Sequence, residues 1–148
     1  MAKRRLIGEV TEVRRQFAAL PFRRTDLIEI MLITSRETRR WVIPKGWPMK
    51  GKSPWGAAAR EAVQEAGIRG TVSKETIGSY LYIKRGLGGQ RWPCTVQVYP
   101  LAVRVEQDNW REKEERTREW FTYIEAAAAV EEPDLRGLIL AFGLSFET

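Results

Sequence analysis

Pro44-Lys45-Gly46-Trp47-Pro48-Met49-Lys50-Gly51-Lys52 leads into Ser53-Pro54-Trp55-Gly56-Ala57-Ala58-Ala59-Arg60-Glu61-Ala62-Val63-Gln64-Glu65-Ala66-Gly67-Ile68, a basic loop opening into an alanine-rich segment. Ser53 suits an N-cap, Pro54 suits the first helical position, and Gly67 supplies a left-handed stop, which predicts a helix of about three turns. Trp55, Ala58, Ala59, Ala62, Val63 and Ala66 recur at the spacing of one helical face, so that face should dock on a sheet. Glu61 and Glu65 then project from neighbouring turns of the opposite, exposed flank, with Cβ atoms about 5 to 6 Å apart. Two carboxylates at that spacing can share one hard cation. Gln64 stands beside them.

Outward from this segment, Gln16 to Phe22 and Leu27 to Thr34 read as strands joined by the polar turn Arg23-Arg24-Thr25-Asp26. The second is apolar throughout except for Glu29 and Thr34, as a strand buried on both faces should be. Trp41 to Ile43 is a short apolar piece ending at Pro44. Tyr80 to Lys84 and Thr95 to Val103 flank Gly86 to Gln90, which reads as a hairpin loop, since a phosphate-cradling loop needs a following helix. Thr122 and Glu125 form a capping-box pattern, and Leu135, Leu138, Ile139 and Phe142 give a last apolar stripe after Pro133. Strands around one central helix, followed by terminal helices, predict an α/β (α+β) fold in a single domain over residues 1–148, with 1–14 as a basic extension.

The 148 residues include no histidine, which excludes histidine bases, histidine metal ligands and serine-histidine or cysteine-histidine nucleophiles. One cysteine, Cys94, allows no internal disulfide, and no apolar run approaches a membrane span, so a soluble, cytoplasmic protein without a membrane partner is expected. The net charge of +6 is unevenly spread: residues 1–52 carry 13 basic and 5 acidic side chains, and residues 105–148 carry 5 and 11. Such asymmetry offers a basic face to an anionic partner. The aromatic and glycine signatures of single-strand nucleic-acid modules are absent, which leaves nucleic acid the weaker candidate.

The stretch from Gly46 to Ile68 resembles the Nudix hydrolase signature, G-x5-E-x7-R-E-U-x-E-E-x-G-U with U aliphatic. Gly46, Arg60, Glu61, Glu65, Gly67 and Ile68 fall on the expected types, while Lys52 and Gln64 replace two of the four motif glutamates. Ser35-Arg36 ahead of Arg40-Trp41-Val42-Ile43-Pro44 is similar to the branch acting on diphosphoinositol polyphosphates and dinucleoside polyphosphates. The resemblance implies an α/β/α sandwich with a mixed sheet and hydrolysis of a phosphoanhydride. It also implies Mg²⁺ or Mn²⁺ held by Glu61, Glu65 and the Gly46 carbonyl, with Arg60 orienting the glutamates. Ser35, Arg36, Arg40, Lys45, Lys50 and Lys52 are then the candidates for binding a polyphosphate substrate, and Lys84, Arg85 and Arg91 add charge around the hairpin. Trp47 is a candidate ligand neighbour, Trp41, Trp55 and Trp120 are candidate core residues, and Glu112 or Glu115 a candidate additional base. The losses at positions 52 and 64 keep open a second reading, a catalytically silent module that binds polyphosphate or nucleic acid.

Overall fold

A computed structural model describes residues 13–86 and 88–147. The expected basic extension lies outside the described residues up to residue 12, and its last member, Arg14, opens the first strand. Eight strands are joined in one sheet: β1 (Arg14–Arg24), β2 (Ile28–Thr34), β3 (Trp41–Val42), β4 (Lys45–Gly46), β5 (Ile68–Val72), β6 (Gly78–Arg85), β7 (Arg91–Glu106) and β8 (Arg118–Thr122). The path runs β3-β2-β1-β7-β5, with β4 on β1, β6 on β7 and β8 on β2. The sheet is mixed, because β1 and β7 run parallel while the other pairs are antiparallel.

Alternation along β1 and β2 divides the core in two. Ala18 and Leu20 of β1 with Ile28, Ile30 and Leu32 of β2 face one layer, where Tyr123, Ala126, Leu135 and Ile139 pack from α2 (Tyr123–Ala129) and α3 (Pro133–Leu144). Phe17, Ala19, Met31 and Ile33 face the other, where Ala57, Ala58, Ala62 and Ala66 close over them. The result is the expected α/β/α sandwich. The capping box at Thr122 and Glu125 is formed, and β6 pairs with β7 from Gly78–Val98 to Arg85–Arg91 as the predicted hairpin. Proline placement follows the ladder: Pro93 precedes the first β1 partner, Cys94, and Pro100 lies between the β6 and β5 partners of β7.

The central helix differs from expectation. It is α-helical only as α1 (Pro54–Glu61) and continues through Ala62–Ala66 as a π-helical turn before Gly67, which takes the left-handed conformation (φ 68°). The wider turn moves Val63 out of the apolar stripe to the rim of a separate surface pocket, while Ala62 and Ala66 stay fully buried. Gly67 is required for a second reason: a Cβ there would overlap the indole of Trp110. Trp41, Trp55 and Trp120 pack against the core as expected.

Candidate active site

The π turn sets the carboxylates. Its changed periodicity turns Glu65 inward under the sheet end, leaving the side chain only 12% exposed, and Glu61 half-buried, so the expected exposed flank is an enclosed one. Gly46 on β4 lies so close that a Cβ would run into the Glu61 carboxylate. The neighbouring Lys45 backbone N–H donates to Glu65 Oε1 at 3.3 Å. β4 is positioned by pairing Phe17 with Gly46 and Ala18 with Lys45, so β1 presses the loop onto the helix.

Burial pushes the Glu65 carboxyl up to about 8, with the nearby Glu61 adding to the shift and Arg116 opposing it. Burial also raises Glu61, while the hydrogen bond it shares with Glu65 draws it back. Two enclosed carboxylates holding one proton between them have the character of a site for a hard cation, which would replace the proton. Among the described residues no three histidine, cysteine, aspartate or glutamate side chains are grouped to hold an ion. The protein therefore offers two carboxylates and the Gly46 backbone. That set fits Mg²⁺ or Mn²⁺, which keep waters and take further oxygens from a phosphate substrate.

Arg116 was not foreseen. Its side chain is 9% exposed, with Nε donating to Glu112 at 2.7 Å, Nη1 to the Thr34 carbonyl at 3.0 Å, and Nη2 lying 3.8 Å from Glu65. It thereby brings Glu112 to the glutamate pair, close enough to raise Glu61. Arg116, and not Arg60, of which the orienting role is expected, is the arginine that lies beside Glu65. Arg60 is exposed and forms no ion pair among the described residues. Its helical neighbours four positions away, Gly56 and Gln64, carry no charge, and Glu61 next to it points elsewhere. Arg60 and Gln64 border a second pocket, with Arg69, Arg111 and Trp110.

A cavity of about 270 Å³ opens beside Glu65. Of the expected substrate residues, Ser35, Arg36, Arg40 and Lys45 line it, and Lys84 and Arg85 join them from the hairpin. Lys50 and Lys52 are exposed and do not line it; nor does Trp47, 38% exposed on the loop. The Ser35 hydroxyl shapes the wall, meeting Thr38 Oγ1 at 2.6 Å and accepting from the Arg40 backbone N–H at 3.1 Å. Arg36 is paired to Glu115 at 3.0 Å and Arg40 to Glu132 at 2.8 Å. Burial pulls the Lys45 ammonium down to about 8 against the pull of Glu65, and Lys84 and Arg40 lower it further. Its Nζ sits 4.1 Å above the Tyr82 ring. Six cations against two acids line this cavity, which suits a polyanion. Gln16 and Tyr82 also border it, and no local sequence signal marked either one.

Comparison with known proteins places this arrangement. Residues 13–142 match the NUDIX domain, and the chain belongs to the Nudix family. It is 32% identical over 117 residues to Nudix hydrolase 16, mitochondrial, of Arabidopsis thaliana, covering 77% of this chain and 64% of the relative. It is 30% identical over 116 residues to diphosphoinositol polyphosphate phosphohydrolase 3-beta of Bos taurus, covering 76% of this chain and 66% of the relative. The chain spans about half to two thirds of the length of the curated relatives it matches. The fold is similar to that of the C. elegans Ap4A hydrolase, with a TM-score of 0.61, 19% identity, and coverage of 88% of this chain and 96% of that one.

Proposed function

We propose that the protein hydrolyses a phosphoanhydride bond in a polyphosphate-bearing substrate of the dinucleoside polyphosphate or diphosphoinositol polyphosphate type. The observation that carries this reading is the enclosed Glu61–Glu65 pair, packed on Gly46, with Glu65 in the wall of a cavity also lined by Arg36, Arg40, Lys45 and Lys84. The names of the similar phosphohydrolase and Ap4A hydrolase support the substrate class. Glu61, Glu65 and the Gly46 carbonyl would hold Mg²⁺ or Mn²⁺, which would supply charge neutralisation at the phosphoryl oxygens. The cavity cations bind the remaining phosphates and offset the charge that accumulates as the anhydride breaks. Glu112, fixed by Arg116, accepts the proton of the attacking water; Glu115 is engaged by Arg36.

A silent polyphosphate-binding module is the second reading, favoured by Lys52 and Gln64 at motif glutamate positions. Incubation with diadenosine polyphosphates, diphosphoinositol polyphosphates and nucleoside-diphosphate sugars, each with Mg²⁺ or Mn²⁺, separates the two. Metal-dependent phosphate or nucleotide release, fastest on the most anionic substrates, is expected. Binding without turnover on every substrate selects the silent module.

A further inference from the structure

Gln16 lies in β1 on the face shared with Ala18 and Leu20, and pairs across the ladder with Val96, between Cys94 and Val98. These neighbours are apolar and buried. Gln16 is 3% exposed, and its Oε1 has no hydrogen-bond partner in the protein. An apolar side chain would sit here without penalty, so the amide costs stability in the free protein. One other buried polar side-chain atom among the described residues lacks a hydrogen bond, Nη1 of Arg40, which lies 3.7 Å from the Glu131 carboxylate while Nη2 is taken by Glu132 at 2.8 Å. Both residues border the cavity beside Glu65. The wall of one ligand space thus carries an acceptor with no partner, Gln16 Oε1, and an arginine whose Nη1 is left without a hydrogen bond. The terminal torsion of glutamine is soft, so its amide can turn toward that space.

We propose that Gln16 and Arg40 form a hydrogen-bonding subsite in the cavity wall that selects substrates whose phosphate chain carries a hydrogen-bond donor, a polyol or sugar hydroxyl or a nucleobase N–H, over bare polyphosphate. The inference rests on the polyphosphate hydrolysis proposed above and adds what that reading leaves open. Ionised phosphate offers acceptors only. It can accept from Arg40 and from the Gln16 NH2 but leaves the Gln16 carbonyl unpaired, whereas a group bearing a hydroxyl or N–H satisfies that carbonyl as well. The unpaired amide is thus a specificity device, destabilising in the free protein and useful in the complex.

Gln16→Met keeps the length of the side chain and removes both hydrogen-bonding atoms. The ligand-free variant should melt at a higher temperature than the wild type. Its kcat/KM should fall about fivefold, as expected for one lost hydrogen bond, on a diadenosine polyphosphate, on a diphosphoinositol polyphosphate or on both, and stay within about twofold on tripolyphosphate. Which of the first two substrates suffers identifies the source of the donor. Gln16→Leu repeats the test should methionine pack poorly. A lowered melting temperature with equal losses on all three substrates would show a packing role and overturn the proposal, as would unchanged kcat/KM on all three. If the wild type turns over none of them, the proposed hydrolysis fails by itself, and the subsite is read from ligand-induced melting shifts. A shift reduced in Gln16→Met for adenosine tetraphosphate or the inositol compound but not for tripolyphosphate supports it, and equal shifts in both proteins reject it.

Discussion

The guanidinium of Arg116 comes within 3.8 Å of the Glu65 carboxylate while its Nε holds Glu112 at 2.7 Å, so one buried cation joins a glutamate of the helix to a glutamate of a distant loop. Arg116 also ties this assembly to β2 through the Thr34 carbonyl.

Removing that cation takes the ion-pair partner from Glu112 and the nearby guanidinium from Glu65, whose remaining N–H donor is the Lys45 backbone. Arg116→Met should cost about 3 kcal/mol of stability and lower kcat/KM more than Arg60→Met, which removes an exposed, unpaired side chain and should change stability by no more than about 0.5 kcal/mol. Denaturant midpoints and steady-state kinetics of both variants check this. A larger kinetic loss from Arg60→Met would assign the orienting role to Arg60.

Gly46→Ala places a methyl group where the Glu61 carboxylate lies. Either β4 or Glu61 must shift, so the variant should lose most hydrolysis and a few kcal/mol of stability, as overpacking does. Gly51→Ala is the control for loop glycines: Gly51 has φ 80°, yet open space around it, so its effect should be on stability rather than turnover.

Gln64→Glu adds a carboxylate beside Arg60 at the second pocket rather than beside the Glu61–Glu65 pair. It should gain a few tenths of a kcal/mol from the new pair and leave Mn²⁺ affinity unchanged within about twofold. Calorimetric titration of Mn²⁺ into both proteins checks it; a marked gain in affinity would place position 64 in the metal site.

Much of this architecture is legible locally. The apolar run of β2, the left-handed stop at Gly67, the Thr122–Glu125 box and the Gly46-to-Ile68 motif each carry their signal within a few neighbouring residues. The features that escape reading depend on register between distant segments. Pairing of β2 with β8 delivers Arg116 and Glu112 to the helix, and no spacing around those residues announces it. The π turn has no local signature either. Its effect, an enclosed Glu65 and a displaced Val63, appears only where the helix end meets Trp110, which donates to the Glu65 carbonyl at 3.1 Å. Gln16 reads as any polar residue at the start of a strand until β7 and the cavity surround it.

The raised Glu65 carboxyl gives metal-free stability a sign. Its folded value of about 8 exceeds the ordinary 4.5, so the folded protein keeps a proton that the unfolded chain releases between these values, and stability falls as pH rises through that window. Glu65→Gln should be more stable than the wild type at about pH 8.5 and should show a smaller decline from about pH 5, by denaturant unfolding in the presence of a chelator.

The central claim is that Glu61 and Glu65 exchange their shared proton for a divalent cation, and Mn²⁺ affinity measured by calorimetry across pH tests it directly. The account predicts proton release on binding, an affinity that rises with pH up to about 8 and levels above it, and loss of binding in both Glu61→Gln and Glu65→Gln. Affinity independent of pH, or retained in both variants, would contradict it.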